Sequence, residues 1–169
     1  LESLPTLELS EVNPIPELIG TEISEIDGAT VLYHKLSTNG VVHFSMYFPL
    51  TRLSLEELSL ASSLQVLLGE LPTENYSVSA LQRQVKTYIG QLDFSLSSYS
   101  SDDDNTKCMP CLVVRASALT ENLDKARELV IEIINKTKFD DKSRINEIIK
   151  QYDEEGRRTA IGNGHALGM

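Results

Sequence analysis

The sequence has no long apolar run and few basic residues, and each of these absences excludes a class of protein. No stretch approaches the roughly 20 apolar residues of a membrane-spanning helix. The amino-terminal residues lack a basic start followed by an apolar core, so we expect neither membrane insertion nor secretion. The 15 Lys and Arg are outnumbered by 25 Asp and Glu, which gives a net charge of -10. Binding to a phosphate backbone depends on clustered cations, and we therefore expect no nucleic-acid partner.

Cysteine is scarce as well. Cys108 and Cys111 are the only two, and they form a single C-x-x-C. A structural zinc site needs four ligands, and no second pair of Cys or His stands at a suitable spacing. A redox pair would be expected at a strand-to-helix turn, whereas this one lies in a strand-like run. We interpret both as small packed side chains, with a redox pair as the alternative.

The clearest element signal is a helix from Ser54 to Leu71. Ser54 and Glu57 form a capping box, in which each side chain satisfies a backbone N–H of the first turn. Gly69 and Pro72 mark the end of the helix. Apolar residues recur every three or four positions and predict a buried stripe, namely Leu55, Leu58, Ala61, Leu64, Leu68 and Leu71.

The remaining segments up to residue 119 predict an amino-terminal arm, two pairs of strands and a second helix. Residues 1–20 are rich in Pro and predict an extended arm or linker, and residues 21–169 predict one domain. Strand-like runs at 29–36 and 41–50 flank Asn39-Gly40, so we expect them to pair as an antiparallel hairpin. A second helix is predicted over 79–89, with Ser79 and Gln82 as its capping box. Two further strands are predicted at 92–99 and 107–119.

The carboxy-terminal third predicts two more helices. An acidic turn, Asp102 to Asn105, separates the last two strands; we interpret it as a solvated loop, with a divalent cation site as the alternative. Thr120 is the expected cap of a helix that runs to Lys136. A last helix begins near Asp140. The order strand, strand, helix, helix thus occurs twice, which predicts an α+β fold with an antiparallel or mixed sheet covered by helices.

Four short segments resemble a known family when they are taken in order, and they are Leu4-Pro5-Thr6-Leu7, Thr38-Asn39-Gly40-Val41, Phe139-Asp140-Asp141-Lys142 and Gly162-Asn163-Gly164-His165. Over nearly the whole chain they resemble the presequence-protease branch of the pitrilysin/insulinase zinc metallopeptidases. The resemblance implies four related α+β domains around a chamber for peptides, with the zinc motif H-x-x-E-H only in the first. It places this chain in the third domain, as a fragment expected to continue past Met169.

The resemblance also implies where a zinc motif would lie, and the residues there are not ligands. In the family the motif occupies the first helix after the hairpin, which here begins after Ser54. Leu60 and Leu64 stand at the spacing of the two His, and Ser63 takes the place of the Glu that polarises water. We therefore expect no catalytic, cofactor-binding or metal-binding residue in this chain, and zinc only in the parent protein.

Several other polar residues are candidates for a contact. Glu147 lies on the last helix, where catalytic domains of the family carry their third zinc ligand, and we expect it to make a surface or interdomain contact. His165 is interpreted as part of a glycine turn. Arg157 and Arg158 are interpreted as a solvated helix end, with contact to substrate carboxylates as the alternative. His34 and His43 lie on separate strands and complete no site.

The sequence therefore predicts a non-catalytic domain that forms part of the chamber wall in a zinc-dependent peptidase of unstructured peptides. Its expected partners are the catalytic half of the same polypeptide and peptide substrates. The expected compartment is the bacterial cytoplasm, with an organelle matrix as the alternative. A stand-alone binding or scaffold protein on the same fold is the alternative function.

Overall fold

A computed structural model describes residues 19–101 and 104–162, which divide into two compact units, one ending at Thr38 and the other beginning at Asn39. The first unit contains an antiparallel hairpin of β1 (Glu22–Ile26) and β2 (Ala29–Tyr33). Asp27 and Gly28 join its strands with φ of 51° and 81°, the backbone that a two-residue hairpin turn requires. The predicted arm lies almost wholly outside the described residues, and the prediction of one domain over 21–169 stays a prediction.

The second unit is built on a three-stranded antiparallel sheet. Its strands are β3 (Val41–Pro49), β4 (Gln91–Ser101) and β5 (Asp104–Leu119), in the order β3-β5-β4. The predicted strands at 92–99 and 107–119 correspond to β4 and β5. The long strand β5 is therefore central, and β3 and β4 form the two edges.

Among the described residues, four α-helices accompany this sheet. They are α1 (Leu55–Leu67), α2 (Val78–Tyr88), α3 (Leu123–Lys136) and α4 (Lys142–Gly162). The main apolar cluster joins the end of α1, one face of α2 and one face of α3 to β5, and consists of Leu68, Leu81, Ile89, Leu112, Val114, Ala116, Ala118, Ala126, Leu129, Val130 and Ile133. A smaller cluster, Leu67, Leu71 and Ile148, packs α4 against α1. The described residues thus form an α+β structure with antiparallel sheets and four helices, as predicted.

The predicted hairpin around Asn39-Gly40 is wrong. Both residues have positive φ, 51° and 83°, as such a turn needs, yet the strands on either side do not pair. β2 pairs with β1, and β3 pairs with β5 over nine residues. The pairing with β5 places Phe44 and Met46 of β3 against the main cluster, an apolar contact that the turn residues cannot reveal.

The start of α1 is confirmed and its predicted stripe is partly wrong. The Ser54 N–H donates to Glu57 Oε2 at 2.8 Å, and the Glu57 N–H donates to Ser54 Oγ at 3.3 Å. Leu55, however, is 84% exposed, because the first turns of α1 extend past the core. The helix ends at Leu67 rather than Leu71, and Gly69 follows it with a φ of 85°.

Two other predicted caps are wrong. Helix α2 begins at Val78 with Ser77 as its cap, since the Ala80 N–H donates to Ser77 Oγ at 3.4 Å. Thr120 begins a 3₁₀ turn that precedes α3, and its hydroxyl donates to the Gly40 carbonyl at 3.0 Å. Both Ser and Thr were plausible caps by type, and only the path of the backbone decides between neighbouring candidates.

Candidate functional site

The two faces of the sheet differ in chemistry. Along β5, side chains alternate between faces, and the even-numbered residues from Leu112 to Ala118 join the main apolar cluster. The odd-numbered residues point the other way, and they belong to neither apolar cluster of the described residues. We call this second surface the polar face and define it by Tyr47 of β3, Asp93, Ser95 and Tyr99 of β4, and Arg115 of β5.

Arg115 connects the residues of the polar face. Its Nη1 donates to Ser95 Oγ at 2.7 Å and lies 3.7 Å from Asp93 Oδ2. Its Nη2 donates weakly to Tyr99 Oη at 3.5 Å. The Arg115 and Asp93 side chains are 41% and 49% exposed, so this ion pair is long and solvated and contributes little to stability. The guanidinium retains donors that can reach a second carboxylate.

Two tyrosines cover the middle of the same face. The rings of Tyr47 and Tyr99 meet edge to face with centroids 5.7 Å apart. Because these residues lie on the strands either side of β5, their rings meet above β5, where Cys111 and Val113 are fully buried. Tyr47 itself is 52% exposed. A guanidinium beside two exposed rings can contact both the polar and the apolar parts of a peptide.

The positions that the resemblance assigns to zinc do not fit the metal. Leu60 is 72% exposed, whereas Leu64 packs against the main cluster, and neither side chain offers a ligand atom. Glu147 is exposed on α4, and its carboxylate lies 2.8 Å from Arg144 Nη1. Across residues 19–101 and 104–162, no three His, Cys, Asp or Glu side chains stand close enough together to hold a metal ion.

The other predicted candidates are spread over the molecule. Ser63 and Arg157 line a cleft between α1 and α4, where Arg157 pairs with Asp153 at 3.0 Å. Arg158 is exposed near the end of α4. His34 lies 3.2 Å from Thr21 Oγ1 in the first unit, and His165 lies outside the described residues. Of these candidates, the structure brings Ser63 and Arg157 to one cleft.

The acidic turn is only partly described. Asp102 and Asp103 lie outside the described residues, and Asp104 begins β5. The Asp104 carboxylate accepts from the Thr106 side chain and backbone N–H and lies 3.2 Å from Lys107 Nζ. The side-chain hydrogen bond from Thr106 is the main reason that the pKa of Asp104 is lowered.

Cys108 and Cys111 lie on opposite faces of β5, because an odd spacing in a strand reverses the direction of the side chain. Cys108 is exposed, with its Sγ 2.8 Å from Ser98 Oγ, whereas Cys111 is fully buried. Both thiols are free. A disulfide between them would require β5 to leave the sheet, so this arrangement does not favour the redox alternative.

We expect the two thiols to react at very different rates. Cys108 should react with an aromatic disulfide reagent at once, and Cys111 about 100-fold more slowly, because its reaction requires local opening of the sheet. The release of the coloured thiol measures both phases. In a Cys108→Ser variant the fast phase should vanish and the slow phase should remain. Two equal fast phases would contradict the placement of Cys111.

A buried carboxylate that the sequence analysis missed organises the loop between α1 and α2. Glu132 of α3 is 8% exposed. It accepts from Thr73 Oγ1 at 2.7 Å, from Asn75 Nδ2 at 3.0 Å and from the Asn75 N–H at 3.2 Å. Lys136 Nζ lies 3.1 Å from its second oxygen. Every contact of this carboxylate is with a donor, which is what an ionised acceptor requires.

These contacts keep Glu132 charged. Burial raises the pKa of Glu132, but the hydrogen bonds from Thr73, Asn75 and Lys136 outweigh it and lower the pKa to about 2. A general acid or base works best with a pKa near the operating pH. Glu132 therefore suits the anchoring of a loop and not proton transfer. In the sequence, Glu132 stands among apolar residues of α3, and this was the only signal that its carboxylate is buried.

No helix of the described residues combines the length and the apolarity that crossing a bilayer needs.

Comparison with known proteins gives consistent matches over the chain. A family model described as peptidase M-16C associated matches residues 1–169. Protein HypA of Clostridium perfringens is 31% identical over 169 residues, and the match covers 100% of this chain and 17% of that protein. The mitochondrial presequence protease of Drosophila melanogaster is 24% identical, with 98% of this chain and 16% of that protein covered. Presequence protease 1 of Arabidopsis thaliana, chloroplastic/mitochondrial, is 24% identical, with 99% and 15% covered. The chain thus spans about a sixth of the length of these relatives.

Proposed function

The chain belongs to the peptidase M-16C associated family, and from this premise we propose that it is a non-catalytic domain of a longer zinc-dependent peptidase that degrades unstructured peptides. Two observations carry this proposal together. The family model matches all 169 residues. Helix α1 has Leu60, Ser63 and Leu64 at the positions where the resemblance places the zinc motif. The hydrocarbon side chains of Leu60 and Leu64, which stand at the positions of the two His, cannot bind the metal. The domain would then contribute by binding peptides and by positioning them.

We propose further that the chain is the third of four related domains and forms part of the wall of a peptide chamber. The polar face supports this role. It presents Arg115 and two tyrosines, whereas the opposite face of the sheet is covered by the main apolar cluster. Unstructured peptides offer carboxylates and apolar side chains, and the polar face can contact both. The partner on the other side of the chamber would be the catalytic half of the same polypeptide.

Two finer proposals accompany this one. The bacterial cytoplasm is the proposed compartment, with an organelle matrix as the alternative, because the relatives include a clostridial protein and proteins named as mitochondrial or chloroplastic. An internal repeat of two strands and two helices also stays a proposal. The two halves differ in pairing, since β4 and β5 pair with each other whereas β2 and β3 do not.

The complete open reading frame tests the non-catalytic assignment. We expect it to encode H-x-x-E-H upstream of Leu1, and we expect the purified full-length product to hold about one zinc ion per chain. The 169-residue chain alone should neither hold stoichiometric zinc nor cleave peptides. Zinc-dependent cleavage by this chain alone would refute the proposal. A reading frame without the motif, and a product without zinc, would favour the stand-alone scaffold protein.

A substitution tests the role of the polar face in the full-length peptidase. Arg115→Ala should raise KM for an acidic unstructured peptide about tenfold, since a hydrogen bond to a charged group contributes about 1.5–3 kcal/mol. The value of kcat should stay within about twofold, because the contact is made in the ground state and the transition state alike. Steady-state kinetics on an acidic and a neutral peptide separate this effect from a general loss of folding.

Arg157→Ala is the matched control for this experiment. Arg157 is also a cation, but it is 77% exposed on α4 and pairs with Asp153. It should leave both kinetic constants unchanged. If Arg157→Ala raises KM and Arg115→Ala does not, the polar face does not contact substrate, and the alternative interpretation of Arg157 as a contact to substrate carboxylates is favoured.

A further inference from the structure

The register of the sheet places Arg115 between two short polar side chains. Asp93 of β4 and Ser45 of β3 are its direct partners on the two neighbouring strands. Residues that face each other in an antiparallel pair have Cβ atoms about 4.5–5.5 Å apart, so the sheet itself holds the Asp93 carboxyl beside the Arg115 side chain. These pairings join β3, β4 and β5 and therefore lie within the second unit.

Arg115 nevertheless makes its shortest contact with another residue. Its Nη1 donates to the Ser95 hydroxyl at 2.7 Å but lies 3.7 Å from Asp93 Oδ2. A charge-assisted hydrogen bond between a guanidinium and a carboxylate has an N–O distance of about 2.7–2.9 Å. The Asp93 carboxylate thus lies beside the guanidinium at a longer distance than such a bond, and it does not use all the donors of Arg115.

The ion pair leaves the polar face without net charge. Arg115 and Asp93 are the two charged residues among the five that define this face, and the other three carry hydroxyl groups. A lone cation would attract acidic peptides over a Debye length of about 8–10 Å. The nearby carboxylate cancels most of that attraction, so a peptide carboxylate gains from Arg115 only at hydrogen-bond range.

A peptide carboxylate bound to Arg115 would also lie close to Asp93. Both carboxylates would then approach one guanidinium, and like charges at such a distance repel each other. Because the Arg115 and Asp93 side chains are 41% and 49% exposed, water screens this repulsion only in part. Asp93 therefore opposes the binding of acidic residues, but it does not oppose contact between apolar residues and the two tyrosine rings.

We propose that Asp93 is a specificity-determining residue of the polar face, which limits the preference of Arg115 for acidic peptides and so lets this face accept unstructured peptides of different charge. The net charge of -10 on the chain acts in the same direction. This inference rests on the proposed function, because it requires that peptides contact the polar face.

Substitution of Asp93 in the full-length polypeptide tests this inference. Asp93→Asn keeps the size of the side chain and removes its charge. It should raise the ratio of kcat/KM for an acidic peptide to that for a neutral one about threefold, the size of effect that an exposed charge pair produces. The change should lie in KM, and it should shrink in about 1 M salt, which screens surface charges. An unchanged ratio would overturn the proposal.

A double variant shows whether Asp93 acts through Arg115. In an Arg115→Ala background, Asp93→Asn should change the same ratio by no more than about 1.5-fold, since no guanidinium remains for the two carboxylates to share. An equal increase with and without Arg115 would mean that Asp93 acts only as a general surface charge. That result would also overturn the proposal.

Asp124→Asn is the matched control for Asp93→Asn. Asp124 of α3 also lies near an arginine, with Arg127 Nη2 at 3.6 Å, and its substitution changes the net charge by the same amount. It should leave the ratio of kcat/KM values unchanged. An increase equal to that of Asp93→Asn would assign the effect to net charge and contradict the proposal.

The same variants separate this inference from the proposed function. If Arg115→Ala raises KM for the acidic peptide and Asp93→Asn has no effect, peptides contact the polar face and only the inference about Asp93 fails. If neither substitution changes KM, the proposed role of the polar face fails as well. A polypeptide that cleaves no peptide refutes the proposed function. In that case, the anisotropy of a fluorescently labelled acidic peptide should still show about threefold tighter binding to Asp93→Asn, and equal binding would overturn the inference too.

Discussion

Leu81→Ala is expected to lower the free energy of unfolding by about 3 kcal/mol, within the range of about 2–5 kcal/mol that large-to-small substitutions in cores produce. Leu81 of α2 has no exposed surface and belongs to the main apolar cluster, together with Leu129 and Ile133 of α3. Removal of its isobutyl group would leave a cavity between two helices and the sheet, and the surrounding close-packed side chains could fill it only partly. Urea denaturation followed by circular dichroism measures the loss.

Leu55→Ala is the matched control for Leu81→Ala. The substitution is chemically identical and also lies in a helix, but Leu55 is 84% exposed. Its stability should change by no more than about 0.5 kcal/mol. Equal losses in the two variants would show that α2 does not pack as described. The pair also tests the sequence-based stripe of α1, which predicted that Leu55 is buried.

Glu132→Gln is expected to lower the free energy of unfolding at pH 7 by about 3 kcal/mol. The pKa of Glu132 falls from 4.5 to about 2 on folding, and each unit corresponds to about 1.4 kcal/mol. Gln keeps the shape but replaces one acceptor oxygen with an NH₂ group, which is a donor. Depending on the orientation of the amide, this group would face the donors of Asn75 and Lys136 or those of Thr73 and Asn75. Glu128→Gln is the control, because Glu128 is 62% exposed and pairs only with Lys125 in the described contacts.

The same variant makes a prediction about pH. Because the folded-state pKa of Glu132 is lowered, its contribution is fully present above about pH 4.5 and is lost as the pH falls toward about 2. The stability difference between wild type and Glu132→Gln should therefore shrink over this window. All other carboxylates are common to both proteins and cancel in the comparison. Parallel pH profiles would show that the carboxylate is not ionised in the folded chain.

The candidate site was only partly predictable. The absence of zinc ligands on α1 can be read directly, since a motif such as H-x-x-E-H depends on residue types at a fixed helical spacing. Arg115 was missed because its neighbours in β5, Leu112, Val113 and Val114, are apolar on both faces. Without alternation in the strand, periodicity cannot assign a face to the one charged residue.

The pairing of strands illustrates the same limit. Asp27-Gly28 and Asn39-Gly40 are both good two-residue turns by type, and both adopt positive φ. Only the first closes a hairpin, since β2 pairs with β1 and β3 pairs with β5. A local signal states that the backbone can turn and does not state which strand lies across it.

By itself, the sequence determined the family, the α+β class, the order of the strands and α-helices from β2 onward and the capping box at Ser54, because these depend on residue type and short-range spacing. It did not predict β1. The tertiary structure decided the partner of β3, the buried state of Glu132 and the meeting of Arg115 with Tyr99. Each of these brings together residues distant in the chain, such as Thr73 and Glu132, and depends on how much apolar surface each competing arrangement buries. No short stretch of sequence contains that quantity.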